Sequence, residues 1–312
     1  MTGAILVTPR SLSGGGHPAL ARLEQAGFSL LFPSPGETPD ADQLAAALPG
    51  CVGWLAGVEP VGEPAIAAAD RLRVISRNGT GVDNLPLEAL AARGITLRTA
   101  DGANARGVAE LALALALAGM RHVVASHEGV RAGGWPRIPG REIAGARAAV
   151  IGLGAVGAET ARLFLSLGAE VAGVDPFAPE DRVMDGAFQR TTLATALAGA
   201  DIISLHCPLA PGAPPILGAE ALAALSAGAT VVNTARAGLV DEAALLAALD
   251  GGQVGCYATD VFTTEPPPPS ALTAHPRVMM TSHIGGFTGA SVDRAAEMAV
   301  DNLLESLDAR PA

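Results

Sequence analysis

Arg236, Glu265 and His283 are three polar residues whose types suit one reaction. Arg236 follows the apolar run VVNTA, Glu265 stands in DVFTTEP, and His283 closes VMMTSH ahead of Ile284, Gly285 and Gly286. An arginine holds a carboxylate and polarises a ketone, and a histidine exchanges a proton with a hydroxyl. A glutamate orients that histidine and stabilises its charge. Each of the three lies at or just beyond the end of an expected strand. In an open α/β sheet ligands bind beyond the carboxyl ends of the strands, so the three are expected to converge on one crevice.

A second constellation is the run RAAVIGLGAVG at 147–157, where Gly152, Gly154 and Gly157 form GxGxxG between an apolar strand and a helical segment. Gly152 permits a tight turn, Gly154 lets the backbone approach a pyrophosphate, and Gly157 allows close helix–strand packing. The helix N-terminus then stabilises the phosphate charge. Asp175 ends the next strand, 18 residues after Gly157, where it can accept hydrogen bonds from ribose hydroxyls. A carboxylate there repels a 2′-phosphate, and Pro176, Phe177 and Ala178 supply no arginine to hold one. Arg182 is the nearest cation and is expected to lie too far along the chain. The cofactor expected is NAD rather than NADP.

These groups require a scaffold of parallel strands, and the chain alternates strand-like and helix-like segments from its start. AILVT (4–8), FSLLF (28–32), VGWLA (52–56), LRVISR (72–77) and ITLRT (95–99) are expected strands. A second series comprises 147–154, 169–175, 200–208, 229–235, 254–262 and 277–283. Strand–helix alternation implies an α/β class with a mostly parallel sheet and helices on both faces. The nearly uncharged run VAELALALALAGM (108–120) alternates with the period of a strand, but its alanines and leucines favour a helix. It is shorter than the ~20 residues of a membrane span. A helix over 288–309 is expected to pack back on the first unit.

Composition narrows the chemistry further. All 20 cationic side chains are arginine and none is lysine. That excludes a Schiff-base lysine, a Walker A lysine and a protein-kinase strand lysine. At 312 residues the chain is long enough for about two domains. A net charge of −11 argues against nucleic-acid or anionic-membrane partners. Cys51, Cys207 and Cys256 are widely spaced and odd in number, which suggests reduced thiols. The N-terminal MTGAILVTPR lacks the features of a signal peptide, so a cytoplasmic location is expected. His17, His122, His127 and His275 show no metal-ligand spacing, and no metal is expected. The acidic positions around 180–185 read as a solvated face.

Several motifs in order give the chain a family resemblance: RNGTGVDNL (77–85), NARGVAE (104–110), GLGAVG (152–157), HCPL (206–209), NTARAGLVDE (233–242), DVFTTEP (260–266) and HIGG (283–286). Over residues ~50–290 it resembles the D-isomer-specific 2-hydroxyacid dehydrogenases, and among them the 3-phosphoglycerate dehydrogenase branch. The resemblance implies two doubly wound parallel-sheet domains. A flavodoxin-like, discontinuous substrate domain would comprise 1–98 and 286–312, and a Rossmann NAD-binding domain 99–285. It implies that Arg236 binds substrate, His283 is the general acid/base and Glu265 is its carboxylate partner. The backbone around Asn78 and Gly79 would form the loop that receives the substrate carboxylate, and Arg77, Arg236 and His283 would also bind substrate. Asp260 would contact the nicotinamide end of the cofactor, with His206 near the adenine. Ala155, Val156, Pro208, Thr234, Ala235 and Gly286 would complete the cofactor surface. The partners implied are a small 2-hydroxy or 2-oxo acid and a second copy of the chain in a homodimer, with the 102–120 helix at the contact.

The chain departs from the family pattern at four places. Ala237 stands where glycine is usual, Ser282 where proline often precedes the histidine, and Phe287 at a position usually small. The 53–58 segment, GWLAGV, lacks the arginine with which some phosphoglycerate dehydrogenases bind phosphate, leaving Arg77 as the reserve cation. With the sequence ending at 312, no regulatory domain for serine feedback is expected. Two other readings share the motifs: a phosphite- or formate-type dehydrogenase, and a dinucleotide-sensing corepressor-like binding protein. Glu265 argues against formate, whose dehydrogenases of this fold usually carry glutamine there. The acidic charge and the lack of partner-binding tails argue against the corepressor.

Overall fold

The computed structural model describes residues 3–14, 16–179, 181–183, 187–210 and 212–308. Glu180 and Asp185, part of the expected acidic face, lie outside them, while Asp181 is exposed. The chain divides into two compact units: Met1–Asn104 with Gly289–Ala312, and Ala105–Thr288.

The first unit is built on five strands, β1 (Ala4–Val7), β2 (Ser29–Leu31), β3 (Cys51–Ala56), β4 (Val74–Arg77) and β5 (Thr96–Thr99). They pair in parallel in the order β2-β1-β3-β4-β5. The central strand β3, Cys-Val-Gly-Trp-Leu-Ala, has no charged side chain and is buried along its whole length. Such an unbroken apolar run is what a parallel strand covered on both faces requires. One face packs against the helix Gly289–Ser306, whose Ala296, Ala299, Val300 and Leu303 recur at helical spacing against Ile5, Val7 and Val74. The opposite face holds Leu44, Leu48, Trp54, Ile66 and Leu90. The strand order reverses between β1 and β3, the place where this sheet type opens a crevice for ligands.

The second unit carries seven strands: β6 (Arg147–Ile151), β7 (Glu170–Val174), β8 (Phe188–Arg190), β9 (Ile202–Leu205), β10 (Ala229–Asn233), β11 (Val254–Thr259) and β12 (Val278–Met280). All neighbours are parallel, in the order β12-β11-β10-β9-β6-β7-β8, and the order reverses between β6 and β9. Strand β8 was not among the expected ones. It is three residues long, pairs only with β7 and has a single apolar side chain, too little pattern to read.

The run at 108–120 belongs to the helix Ala105–Met120. Ala112, Leu115, Ala116 and Met120 pack into the core with Val150, Ala158 and Phe164. His122, at φ +52°, ends this helix, and a second one, Val123–Arg131, leaves at 62°. Among the described residues no single helix is long and apolar enough to cross a membrane.

Candidate active site

The loops at the carboxyl ends of β6, β7 and β9 form one cradle. Gly152 leaves β6 at φ +91°, and a Cβ there would lie 2.7 Å from the backbone of His206 and Cys207. A Cβ on Gly157 would sit 1.8 Å from the Gly152 carbonyl oxygen, so the first turn of the helix Ala155–Ser166 can meet β6 only with glycine at 157. Gly154 caps that helix, and a Cβ there would meet nothing within 4 Å. A tight turn opening onto free space at a helix N-terminus is what a pyrophosphate needs. Ala155 and Val156 are the first residues of the helix.

Asp175, just after β7, is tied to this turn. Its Oδ2 accepts from Leu153 N at 2.8 Å, and its Oδ1 from Phe177 N at 2.8 Å and Ala178 N at 3.1 Å. Burial raises the carboxyl's pKa, but these amides and the nearby Arg190 outweigh it and hold the group below its ordinary value. Two cations lie nearer this turn than their places in the sequence suggest. Arg182 reaches the turn despite its distance along the chain, donating from Nε to Leu153 O at 3.1 Å. Arg190, overlooked because it lies on the unexpected β8, donates to the Asp175 carbonyl.

His206 follows β9, and its Nε2 pairs with Ser204 Oγ at 2.8 Å. Burial pushes its pKa down to about 3, so the ring is neutral near pH 7 and cannot serve there as an acid. Its Nδ1 and the hydroxyl of Thr234 are buried without a protein partner. Orphaned polar atoms at the strand ends beside a glycine cradle fit a bound dinucleotide, which brings its own donors and acceptors. Pro208 is exposed and Ala235 half-buried on the same edge of the sheet.

The loops after β10, β11 and β12, adjacent strands, carry the acid–base candidates. His283 Nδ1 lies 2.8 Å from Glu265 Oε2 and 3.0 Å from Oε1, and Oε1 also accepts from Phe262 N at 3.1 Å. The pairing fixes the ring and leaves Nε2 for chemistry, on a side chain 55% exposed. His283 adopts φ +54°, a left-handed conformation that a non-glycine residue keeps only when its surroundings impose it. Asp260 supplies that constraint. Its Oδ1 accepts from Thr281 Oγ1 at 2.6 Å and Ile284 N at 2.8 Å, and its Oδ2 from Gly285 N at 2.8 Å. This buried carboxylate therefore grips both sides of His283, a contact the motif alone did not reveal. Gly286, next along the same loop, is half-buried.

Arg236 follows β10 and donates from Nη1 to Ala235 O at 2.7 Å. Its turn is built by Asn233, fully buried, which accepts from Ala235 N and donates to the Arg236 carbonyl at 2.9 Å. Asn233 belongs to the NTARAG motif, but only the folded turn shows what it does. Ala237 opens a short 3-10 helix and has no positive φ, so its Cβ costs no backbone strain. Phe287 is 74% exposed.

In the first unit, Arg77 ends β4 and is 7% exposed, donating from Nη1 to Asn78 O at 3.0 Å while its Nε has no partner. Burial lowers its pKa, and Glu59 and Asp83 oppose the shift. The loop continues through Asn78, whose amide bonds Ala56 O at 2.8 Å, to Gly79 at φ +147°.

Residues 113–285 match the family model described as D-isomer specific 2-hydroxyacid dehydrogenase, NAD binding domain. Over 260 residues, 82% of this chain and 49% of the relative, the sequence is 38% identical to D-3-phosphoglycerate dehydrogenase of Mycobacterium tuberculosis. Identity to the Sus scrofa D-3-phosphoglycerate dehydrogenase is 36% over the same shares of the two chains. The chain thus spans about half the length of the curated relatives it matches. A solved structure of a Thermus thermophilus protein superposes with a TM-score of 0.85 at 33% identity, covering 99% of this chain and 98% of that one. A D-lactate dehydrogenase of Treponema pallidum gives a TM-score of 0.80 at 25% identity, also over 99% and 98%.

Proposed function

The chain belongs to the D-isomer-specific 2-hydroxyacid dehydrogenase family, and from that premise we propose that it is an NAD-dependent oxidoreductase interconverting a D-2-hydroxyacid and its 2-oxoacid. The observation that carries the proposal is the His283–Glu265 pair at 2.8 Å, beside the strand end that bears Arg236. In the direction of oxidation His283 Nε2 takes the substrate hydroxyl proton; in reduction it returns that proton to the forming alkoxide. Glu265 holds Nδ1 throughout, fixes the ring's orientation and stabilises the imidazolium. The Arg236 guanidinium binds the acid's carboxylate and polarises C2–O. NAD, when bound, accepts or returns the hydride at C2. Gly152, Gly154, Ala155, Val156 and Gly157 would hold its pyrophosphate and Asp175 its ribose hydroxyls. His206, Pro208, Thr234, Ala235, Asp260 and Gly286 would line the rest of its site.

The second unit is accordingly the NAD-binding domain and the first the substrate domain, where the backbone around Asn78 and Gly79 would receive the carboxylate, with Arg77 beside it. A homodimer is supported by exposed apolar side chains on one stretch of the second unit, Val123, Val124, Val130, Trp135 and Ile138. Cytoplasmic residence is supported by three unpaired cysteines, of which burial pushes Cys51 and Cys256 up to about 11. The net charge of −11 supports a small-molecule partner over nucleic acid or an anionic membrane.

Replacing Arg236 or His283 with alanine is expected to remove NADH oxidation by 2-oxo acids while NADH binding, read by fluorescence, survives. Glu265→Gln, which keeps the hydrogen bond but loses the charge, should cost roughly 10²- to 10⁴-fold in kcat. Near-wild-type turnover in either alanine variant would remove the assigned mechanism.

A further inference from the structure

The first sheet has its own switch point, and its crevice is already filled by an anion. Glu59 follows β3, is 1% exposed and reaches back across the gap between β1 and β3. Its Oε1 accepts from Gly57 N at 2.9 Å and from the hydroxyl of Thr8, the residue after β1. Thr8 is held in turn by Trp54 Nε1 at 3.0 Å. Asn84 Nδ2 donates to the Glu59 carbonyl at 2.7 Å and so pins the loop. A backbone amide and a hydroxyl converging at a switch point are the donors that such a sheet offers to an anionic ligand. The buried carboxylate makes no ion pair within 4 Å among the described residues, and a charge so placed needs compensation from its surroundings. The buried guanidinium of Arg77 supplies part of it, since Glu59 is the largest favourable charge acting on that arginine, although burial outweighs it. Part of the Arg77 charge is therefore answered within the protein before any ligand binds.

We propose that Glu59 occupies the anion subsite at the switch point of the first sheet with its own carboxylate, so that the substrate is a D-2-hydroxyacid carrying no phosphate. The inference rests on the dehydrogenase reading for the identity of the substrate, but the subsite can be tested without turnover. A phosphorylated acid would have to bring a dianion next to a buried carboxylate that already engages part of the Arg77 charge. Its unphosphorylated parent meets no such repulsion.

The test is calorimetric titration of the NADH-loaded protein with glycolate and with 2-phosphoglycolate, in the wild type, Glu59→Ser and Glu59→Gln. The glutamine variant keeps an acceptor for Gly57 N and removes only the charge, so it serves if the serine variant unfolds. Glycolate should bind wild type at least tenfold more tightly than 2-phosphoglycolate. Either substitution should tighten 2-phosphoglycolate at least fivefold and change glycolate less than twofold. Equal or tighter binding of 2-phosphoglycolate by the wild type, or an unchanged ratio in both variants, would overturn the proposal. Turnover of hydroxypyruvate against 3-phosphohydroxypyruvate should follow the same order. If the binding pattern holds and no 2-oxoacid is turned over, the dehydrogenase reading fails and the subsite assignment stands.

Discussion

Asp175 and Asp260 are both carboxylates in the second unit, yet their surroundings give them different work. Asp260 is buried and accepts from Thr281, Ile284 and Gly285, so besides any contact with the cofactor it holds the backbone that presents His283. Asp175 is half-exposed, and three amides and Arg190 hold its pKa down. A carboxyl whose folded pKa lies below its unfolded value of about 3.9 stabilises the fold above that value, and the stability is lost as pH falls through the folded pKa. Asp175→Asn should therefore lower stability at pH 7, by less than about 1 kcal/mol after solvent screening. The difference from wild type should shrink toward pH 3. Urea unfolding at the two pH values checks this, and a deficit that grows with acid would contradict the assignment. The residue types at 236, 265 and 283 were readable in the sequence because their chemistry is local. The roles of Asp260, Asn233 and Glu59 were not, because Asp260 and Glu59 depend on partners far along the chain and Asn233 on the turn that its own side chain closes.

The glycine turn shows an element whose sequence pattern states its geometry almost completely. A strand, three glycines at fixed spacing and a helix allow little else, and the carbonyl of Gly152 lies where any side chain on 157 would begin. Because that neighbour is backbone, no rotamer change relieves the clash. Gly157→Ala should therefore cost on the order of 1–3 kcal/mol and weaken NADH binding together with stability. Denaturant unfolding followed alongside NADH fluorescence measures both, and a variant with wild-type values would mean that the turn is looser than its geometry. Strands were legible in proportion to their apolar length. β3 and β11 are six residues each and stood out, whereas β8 has one apolar residue in three and did not. The run at 108–120 shows the opposite case, where alternation pointed to a strand and propensity correctly pointed to a helix.

At the scale of the whole molecule, each of the two sheets reverses its strand order once, and each reversal carries a polar cluster. In the second sheet the cluster is an open cradle for a dinucleotide; in the first it is closed by Glu59. Sequence motifs could point to the first arrangement because the glycines state it. They could not show the second, since nothing in GVEP says that the glutamate folds back onto Thr8. A chain without lysine loses nothing in this account, because Arg236, Glu265 and His283 supply every charge that the proposed proton exchange needs. The most direct measure of 2-hydroxyacid dehydrogenase activity is NADH consumption at 340 nm with glyoxylate, hydroxypyruvate, pyruvate, oxaloacetate, 2-oxoglutarate and 3-phosphohydroxypyruvate. The predicted result is turnover of at least one unphosphorylated member to a D-2-hydroxyacid, whereas NADH binding without turnover of any of the six would contradict it.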